Sequence, residues 1–129
     1  MELTAIYTRP LHEAGAEHQV INPVDGELTD FYIAVRGTES KEVGQAFKEE
    51  EQKALFARFA KEDFDADESE IRKAVACTIG WRGLTEAGEE VAFSEAKAKK
   101  LYENAPAVRR QVLNFAGKPA NFMQTPQTS

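Results

Sequence analysis

The chain has 129 residues, and 42% hydrophobic against 29% charged residues is typical of a folded globular domain rather than a disordered segment. Acidic residues outnumber basic ones by 22 to 16, which gives a net charge of −6. Because phosphate backbones attract basic surfaces, this charge argues against a general nucleic-acid-binding protein. Five basic residues that could form a local patch are interleaved with apolar helix positions, so we interpret them as a solvated helix face: Lys97, Lys99, Lys100, Arg109 and Arg110.

The cysteine content and the apolar runs limit where the protein functions. Cys77 is the single cysteine, so no internal disulfide can form and a secreted disulfide scaffold is excluded. We expect Cys77 to be a small core residue, because it stands in an apolar run. No basic segment followed by an apolar segment opens the chain, and no apolar run approaches the roughly 20 residues that cross a bilayer. These features predict a cytoplasmic protein that does not bind membranes.

The first 37 residues carry signals for β-strands. Residues 3–7 predict a short strand, and residues 12–18 are polar and predict a loop. Residues 20–21 and 31–35 are rich in β-branched and aromatic residues, and the Asp25-Gly26 pair between them is typical of a turn. We therefore predict an antiparallel strand pair near the N-terminus, which must pack on the rest of the chain because a two-stranded ribbon is marginal alone.

A long helix is predicted next, from a cap at Thr38 or Ser40 to about Glu62, because this segment is rich in strong helix formers. At about 100° per residue, one side of this helix forms a plausible core stripe. The stripe consists of Val43, Ala46, Phe47, Ala54 and Ala57.

Three large apolar residues of this helix, Leu55, Phe56 and Phe59, fall away from the core stripe. The C-terminal half of the helix is therefore apolar almost all round. Such a helix is either fully buried or offers a second face to another chain, and the sequence leaves both possibilities open. If the second holds, these three residues are our candidates for partner binding or self-association.

The second half of the chain predicts three more helices. Asp67, followed three residues later by Glu70, predicts the start of a helix that runs into Trp81. A turn is predicted at residues 86–89. Ser94 caps a third helix through Tyr102, and residues 104–106 open a fourth helix that ends near Gly117.

The predicted fold class is therefore mainly α within an α+β architecture, with an N-terminal antiparallel strand pair followed by four helices. Residues 1–129 are expected to form a single domain. Within it, residues 1–37 contain the strands, residues 38–117 are helical, and residues 118–129 are a flexible tail from which Phe122 and Met123 can dock.

No residue pattern in the chain predicts catalysis, a cofactor site or a metal site. His12 and His18 are the only histidines, and zinc would need further His or Cys ligands. Asp63, Asp65 and Asp67 alternate as at the start of a calcium loop, but the glycine and the final carboxylate of such a loop are missing. No nucleophile stands in a recognisable triad motif and no phosphate-binding glycine loop occurs. We expect a protein that is not an enzyme.

The order of packing signals from Gly80 onward resembles tail assembly chaperones of phages with long, non-contractile tails. An apolar helix leads into Gly-Trp, a turn with glycine, an apolar-Phe-Ser step, a short helix, Asn-x-Pro and a last helix followed by phenylalanine. The upstream strand at residues 31–35 and the charged helix after Gly37 are also similar to the first half of such proteins. The matching residues are Gly80, Trp81, Gly88, Val91, Ala92, Phe93, Ser94, Leu101, Asn104, Ala105, Pro106, Val112 and Phe122.

The resemblance implies a non-catalytic protein of the infected bacterial cytoplasm that is not expected in the mature virion. It would keep the long, apolar tape measure protein soluble and promote assembly with tail tube subunits, acting as a homo-oligomer without cofactors, nucleic acid or membranes. Many members also have a longer form, made by ribosomal frameshifting, that engages the tail tube protein. The polar ending from Gln124 resembles the end of a short form. Trp81, Gly88, Phe93, Ser94, Pro106 and Phe122 would mainly hold the fold.

Two other functions remain open on the sequence alone. The same apolar helix could serve a small adaptor or regulatory domain that binds a host protein. A helical nucleic-acid-binding domain is the weaker alternative, with Arg109, Arg110 and the lysines near residue 100 as its footprint.

Overall fold

The computed structural model describes residues 1–123 and contains both helices and strands. A three-stranded antiparallel sheet in the order β1-β2-β3 is covered by helices, and a small two-stranded hairpin, β4-β5, follows. After a 3-10 helix at Leu3–Ile6, the elements are α1 (Arg9–Ala14), β1 (Ala16–Ile21), β2 (Leu28–Val35), α2 (Lys41–Ala60), α3 (Ala66–Cys77), β3 (Thr78–Arg82), β4 (Thr85–Glu86), β5 (Glu89–Glu90), α4 (Glu95–Asn104), α5 (Pro106–Ala116) and α6 (Ala120–Met123).

The predicted N-terminal strand pair is confirmed, but its surroundings differ from the prediction. Residues 3–7 form no strand, because Leu3–Ile6 is a 3-10 helix that buries none of its side chains. Most of the expected loop at residues 12–18 is ordered structure, shared between α1 and β1. Pro10 in the first turn of α1 favours a helix start, and Gly15, with a φ of 80°, ends it.

The sheet has a third strand that the sequence analysis assigned to a helix. The helix predicted to run into Trp81 ends at Cys77, and the chain continues as β3 beside β2. In this pairing Trp81 lies opposite Ile33. The Thr-Ile-Gly-Trp sequence of β3 suits a strand better than a helix, because β-branched and aromatic residues fit a pleated surface and glycine weakens a helix. The strands are therefore not confined to the N-terminal part.

The two central helices begin at side-chain caps. Ser40 Oγ accepts a hydrogen bond of 3.1 Å from the backbone N–H of Val43, which confirms one of the two predicted caps of α2. The cap of α3 is Asp65 rather than the predicted Asp67, since Asp65 Oδ1 accepts from the N–H of Glu68 at 3.0 Å. The helix thus begins two residues earlier than expected.

The C-terminal helices follow their sequence signals closely. Ser94 Oγ accepts from the N–H of Lys97 at 3.1 Å and caps α4, and Pro106 occupies the first turn of α5. Residues 118–123, expected to be part of a flexible tail, include α6, in which Phe122 is buried. Together with α1, this short helix brings the described residues to six α-helices rather than the predicted four. The part of the expected tail from Gln124 onward lies outside the described residues.

The hydrophobic core lies between one face of the sheet and the helices α3, α4 and α5. β2 alternates strictly over its last residues, with Phe31, Ile33 and Val35 turned to the core. α3 packs on α2, α4 and α5, while α5 also packs on β1 and β2. The fully buried positions include Cys77 and Tyr102, so the expected core role of Cys77 is confirmed.

Candidate partner-binding surface

The inner side of α2 has few large apolar side chains. Val43 is fully buried and Phe47 is partly buried, as the predicted core stripe requires. In the C-terminal half, however, the inward positions are Glu50, Ala54 and Ala57. This half of the helix therefore packs against α3 through small residues and one carboxylate.

The outer side of the same half carries three large apolar residues, which we call the outer patch: Leu55, Phe56 and Phe59. Their exposed fractions are 51%, 67% and 82%. At about 100° per residue the three side chains occupy an arc of about 100°, on the side of the helix opposite Glu50 and Ala57. Of the two possibilities that the sequence leaves open for α2, the exposed second face is the one observed.

Glu50 explains how α2 remains attached to the body of the protein despite its small inner residues. Its carboxylate is almost fully buried and accepts hydrogen bonds from Arg72 Nε at 2.9 Å and Arg72 Nη2 at 2.7 Å. Lys53 approaches the same carboxylate at 3.4 Å. The hydrogen bonds from Arg72, aided by that of Ser69, lower the pKa of Glu50 to about 2 against the opposing effect of burial. This bidentate ion pair joins α2 to α3 and was not predicted from the sequence.

The end of α2 presents the outer patch next to acidic residues. Lys61 has a φ of 54°, which reverses the chain, and the N–H of Glu62 bonds to Ala57 O at 2.9 Å. The reversal brings Glu62, Asp63 and the half-exposed Phe64 back toward Phe56. A groove of about 490 Å³ between Phe56 and Phe64 is lined by carboxylates and by Lys53 and Arg72. A partner on the outer patch would therefore meet aromatic rings beside negative charge.

Trp81 and Phe93 lie against the core, not in the outer patch. The indole N–H of Trp81 donates to Val91 O at 2.9 Å. Its ring meets Phe93 edge-on at 5.0 Å and Phe31 edge-on at 5.9 Å between centroids. These contacts fix the hairpin to β3 and to the segment before α4.

The other four of the six residues that the resemblance expects to hold the fold lie at turns, helix starts and one buried contact. Gly88 has a φ of 82° in the turn of the β4-β5 hairpin. Ser94 and Pro106 lie at the starts of α4 and α5. Phe122 is 4% exposed and stacks on His12 at 4.7 Å between ring centroids. None of the four belongs to the outer patch.

The candidate basic footprint is not a continuous surface. Arg109 is 2% exposed, and its guanidinium contacts Glu70 at 2.7 Å and Asp67 at 3.2 Å. Lys99 pairs with Glu68 at 3.6 Å. Two of the five cations are thus engaged with carboxylates, which weakens the nucleic-acid interpretation.

The two histidines make separate contacts, and the side chains of Cys77 and Tyr102 are buried in the core. His12 is fully buried, and its Nδ1 accepts from the N–H of Glu39 at 3.1 Å. His18 instead contacts Gln111 at 2.9 Å. Burial raises the pKa of the Cys77 thiol to about 12, so the reactive thiolate is suppressed at neutral pH. Burial also raises the pKa of Tyr102, whose hydroxyl lies 2.6 Å from that of Thr78.

Within residues 1–123, no cluster of three or more His, Cys, Asp or Glu side chains is arranged to hold a metal ion. In the same part of the chain, no helix combines the length and apolar character needed to cross a bilayer. One feature of the surface was not predicted from the sequence: an apolar groove between the hairpin and α4. Its floor comes from β3, the hairpin segment and α4, so only the unexpected third strand brings those residues together.

Comparisons with protein-family models, with curated proteins and with solved structures gave no match to this chain.

Proposed function

We propose that this protein is a tail assembly chaperone of the type made by phages with long non-contractile tails. It binds the tape measure protein through the outer patch, keeps that client soluble and promotes tail tube assembly. The protein acts without catalysis or a cofactor, in the cytoplasm of the infected bacterium, and is not retained in the virion. The sequence resemblance supplies the identity of the client.

The observation that carries the binding proposal is the inverted arrangement of α2. Alanines and a paired carboxylate face inward, while Leu55, Phe56 and Phe59 face solvent. Full burial of a leucine or phenylalanine side chain is worth about 1.5–3 kcal/mol, so this chain leaves a substantial stabilisation unused. A partner that covers the patch gains it. Exposed apolar clusters of this kind commonly mark protein–protein interfaces.

The charge of the protein suits a coat on an apolar client. A long apolar helix exposed before tube assembly would aggregate, and several bound copies would cover it with acidic protein. The net charge of −6 per copy would then keep the coated complexes apart by repulsion. The same arrangement fits a homo-oligomer along the client. A longer frameshifted form would add the contact with the tail tube protein.

The test is co-expression with the tape measure protein encoded downstream, which should be a very long helical open reading frame. Leu55→Asp and Phe56→Asp are each expected to lower the soluble fraction of the client several-fold, because a carboxylate in the patch must be desolvated on binding. Leu28→Asp is the matched control for Leu55→Asp, since Leu28 is 65% exposed on a different face of the protein. The control should support the client like the wild type.

The circular dichroism of each variant shows whether the fold survives. Folded Leu55→Asp and Phe56→Asp variants that still solubilise the client would refute the patch as the client-binding surface. A wild-type protein that leaves the client insoluble while binding a host protein through the same patch would support the adaptor alternative. In the gene, a slippery heptamer near the stop codon would support the longer form.

A further inference from the structure

A second apolar surface, separate from the outer patch, lies between the β4-β5 hairpin and α4. It is a groove of about 370 Å³ that opens to solvent. We call it the hairpin groove, and its apolar floor is formed by Trp81, Leu84, Val91 and Leu101, all of which are partly buried. The remaining lining residues are Thr85, Glu86, Lys97, Lys100 and Asn104.

The floor of the hairpin groove is held in place by several contacts. The N–H of Val91 donates to Leu84 O at 2.8 Å, and Val91 O accepts the indole N–H of Trp81 at 2.9 Å. Phe93 supports the Trp81 ring edge-on from the side. A groove with a fixed floor needs little ordering when a ligand enters, which favours binding.

The rim of the groove is net positive on a protein whose net charge is −6. Lys97 and Lys100 are one helical turn apart on α4, and within residues 1–123 neither makes an ion pair. Among the described residues that line the groove, Glu86 is the only one with a carboxylate. Lys99, between them in sequence, lines a different groove and pairs with Glu68. Two ammonium groups, set against the single carboxylate of Glu86 in the described lining, therefore border an apolar floor.

We propose that the hairpin groove binds an acidic amphipathic segment of another protein. A bulky apolar side chain of that segment rests on the floor between Trp81 and Leu101. Carboxylates on neighbouring turns of the same segment, about 5–6 Å apart, accept hydrogen bonds from Lys97 and Lys100. This proposal does not rest on the proposed chaperone function, because it uses neither the outer patch nor the identity of the client.

A second copy of the chain is a poorer match for the groove. The outer patch of that copy carries both signs of charge, since Arg58 and Lys61 lie beside Phe59 as well as the acidic Glu62 and Asp63. Docking that segment would bring Arg58 and Lys61 toward Lys97 and Lys100, where like charges repel and offset the attraction of the acidic residues. An acidic partner segment has no such conflict.

Trp81 is the only tryptophan of the chain, so its fluorescence reports directly on the groove. The probe is a synthetic helical peptide with leucines on one face and glutamates bordering that face, titrated into the full protein. We expect Trp81 emission to change and to reach saturation as peptide is added. The affinity for the peptide should fall as the salt concentration rises, because salt screens the lysine–glutamate attraction. A matched peptide with glutamine at every glutamate is expected to bind about three- to tenfold more weakly, since each exposed ion pair contributes modestly.

The double variant Lys97→Glu/Lys100→Glu should lower the affinity for the glutamate peptide about tenfold or more, because the attraction between the groove and the peptide becomes repulsion. Lys99→Glu/Lys118→Glu changes the net charge equally but lies outside the groove, and it should alter the affinity by less than about twofold. Phe56→Asp should leave this binding unchanged even if it abolishes client solubilisation. The binding proposal for the groove and the one for the outer patch can therefore be refuted independently of each other.

Four results would overturn the proposal. They are an absence of saturable binding, equal affinity for the glutamate and glutamine peptides, equal losses in the two double variants, and full competition by octanoate, which would indicate a site for small amphipathic anions. A fifth result also counts against it. If Trp81 emission changes with protein concentration in the absence of peptide, and Lys97→Glu/Lys100→Glu removes this change, a second copy occupies the groove.

Discussion

Helices α2 and α5 have opposite relations to the core. In α5, Val108, Val112 and Ala116 are buried, and the other large apolar residues of that helix pack against the core. In the C-terminal half of α2, the small Ala57 faces inward while Phe56 and Phe59 face solvent. The apolar residues of α5 thus stabilise the folded monomer by their burial, whereas the exposed apolar residues of α2 do not.

This difference separates two uses of hydrophobic residues. A side chain in the core stabilises the folded monomer, whereas an exposed aromatic contributes only when another surface covers it. The Glu50–Arg72 pair allows α2 to stay attached without turning its aromatic residues inward. We therefore expect substitutions in the core face of α5 to lower stability, and substitutions in the outer patch of α2 to lower partner binding with little effect on stability.

The largest effect is expected from the same substitution made on each helix. Val112→Asp places a carboxylate at a position with no exposed surface among the apolar residues of the core cluster, so it should destabilise the fold by about 5 kcal/mol or more. Phe56→Asp, at a position that is 67% exposed, should change the free energy of unfolding by about 1 kcal/mol or less. Urea unfolding followed by circular dichroism measures both values.

The two variants test the comparison from both directions. If Phe56→Asp unfolds the protein, Phe56 belongs to the core and the outer patch is not a free surface. If Val112→Asp folds normally, α5 is not the core helix described above. Val112→Ala is the control for the loss of side-chain volume alone, and it should cost less than the carboxylate does.

A smaller effect is expected at the contact that joins α2 to α3. Glu50→Gln removes the charge that holds Arg72 and should cost about 1–3 kcal/mol at neutral pH, less than a fully buried pair because Arg72 is 40% exposed. The pKa of Glu50 is lowered to about 2, below its usual value near 4.5. Its contribution is therefore fully present above about pH 4.5 and is lost as the pH falls from there toward 2.

Urea unfolding at a series of pH values between neutral and 2 checks this prediction. The difference in stability between the wild type and Glu50→Gln should shrink as the pH falls through that window. Subtracting the variant removes the contributions of other carboxylates, including Glu17, whose pKa is lowered by Arg82. A difference that stays constant with pH would show that the Glu50 charge does not hold the two helices together.

Local signals in the sequence were sufficient for much of the helical part. Ser40, Ser94 and Pro106 each mark a helix start that the structure has, because caps and N-terminal prolines act over a single turn. Helical periodicity also placed the outer patch away from the core stripe that contains Ala54 and Ala57, but the sequence left open whether that side of α2 is buried or exposed.

Features that depend on distant residues were not predicted. The composition of β3 favours a strand locally, but its pairing with the free edge of β2 depends on residues far away in the sequence. Helical periodicity places Glu50 on the inner side of α2 with Val43 and Ala57, but the burial of its carboxylate depends on Arg72 across the helix–helix contact, and the sequence alone does not show that pairing. The hairpin groove depends on the pairing of β3 with β2, because β3 carries Trp81 to a position facing α4.

The smallest effect is expected where the two helices end. Lys61 closes α2 with a φ of 54°, a left-handed conformation that favours glycine, whereas Gly117 follows α5 with a φ of −84° that any residue can adopt. Lys61→Gly should therefore stabilise the protein by about 0.5–1 kcal/mol, because the steric strain of a side chain there exceeds the added entropy of the unfolded chain. Lys61→Ala removes the same charge but keeps the strain, so it should give no gain. Thermal unfolding compares the two. Equal stabilisation by both would mean that the charge, rather than the backbone conformation, limits the end of the helix that carries the outer patch.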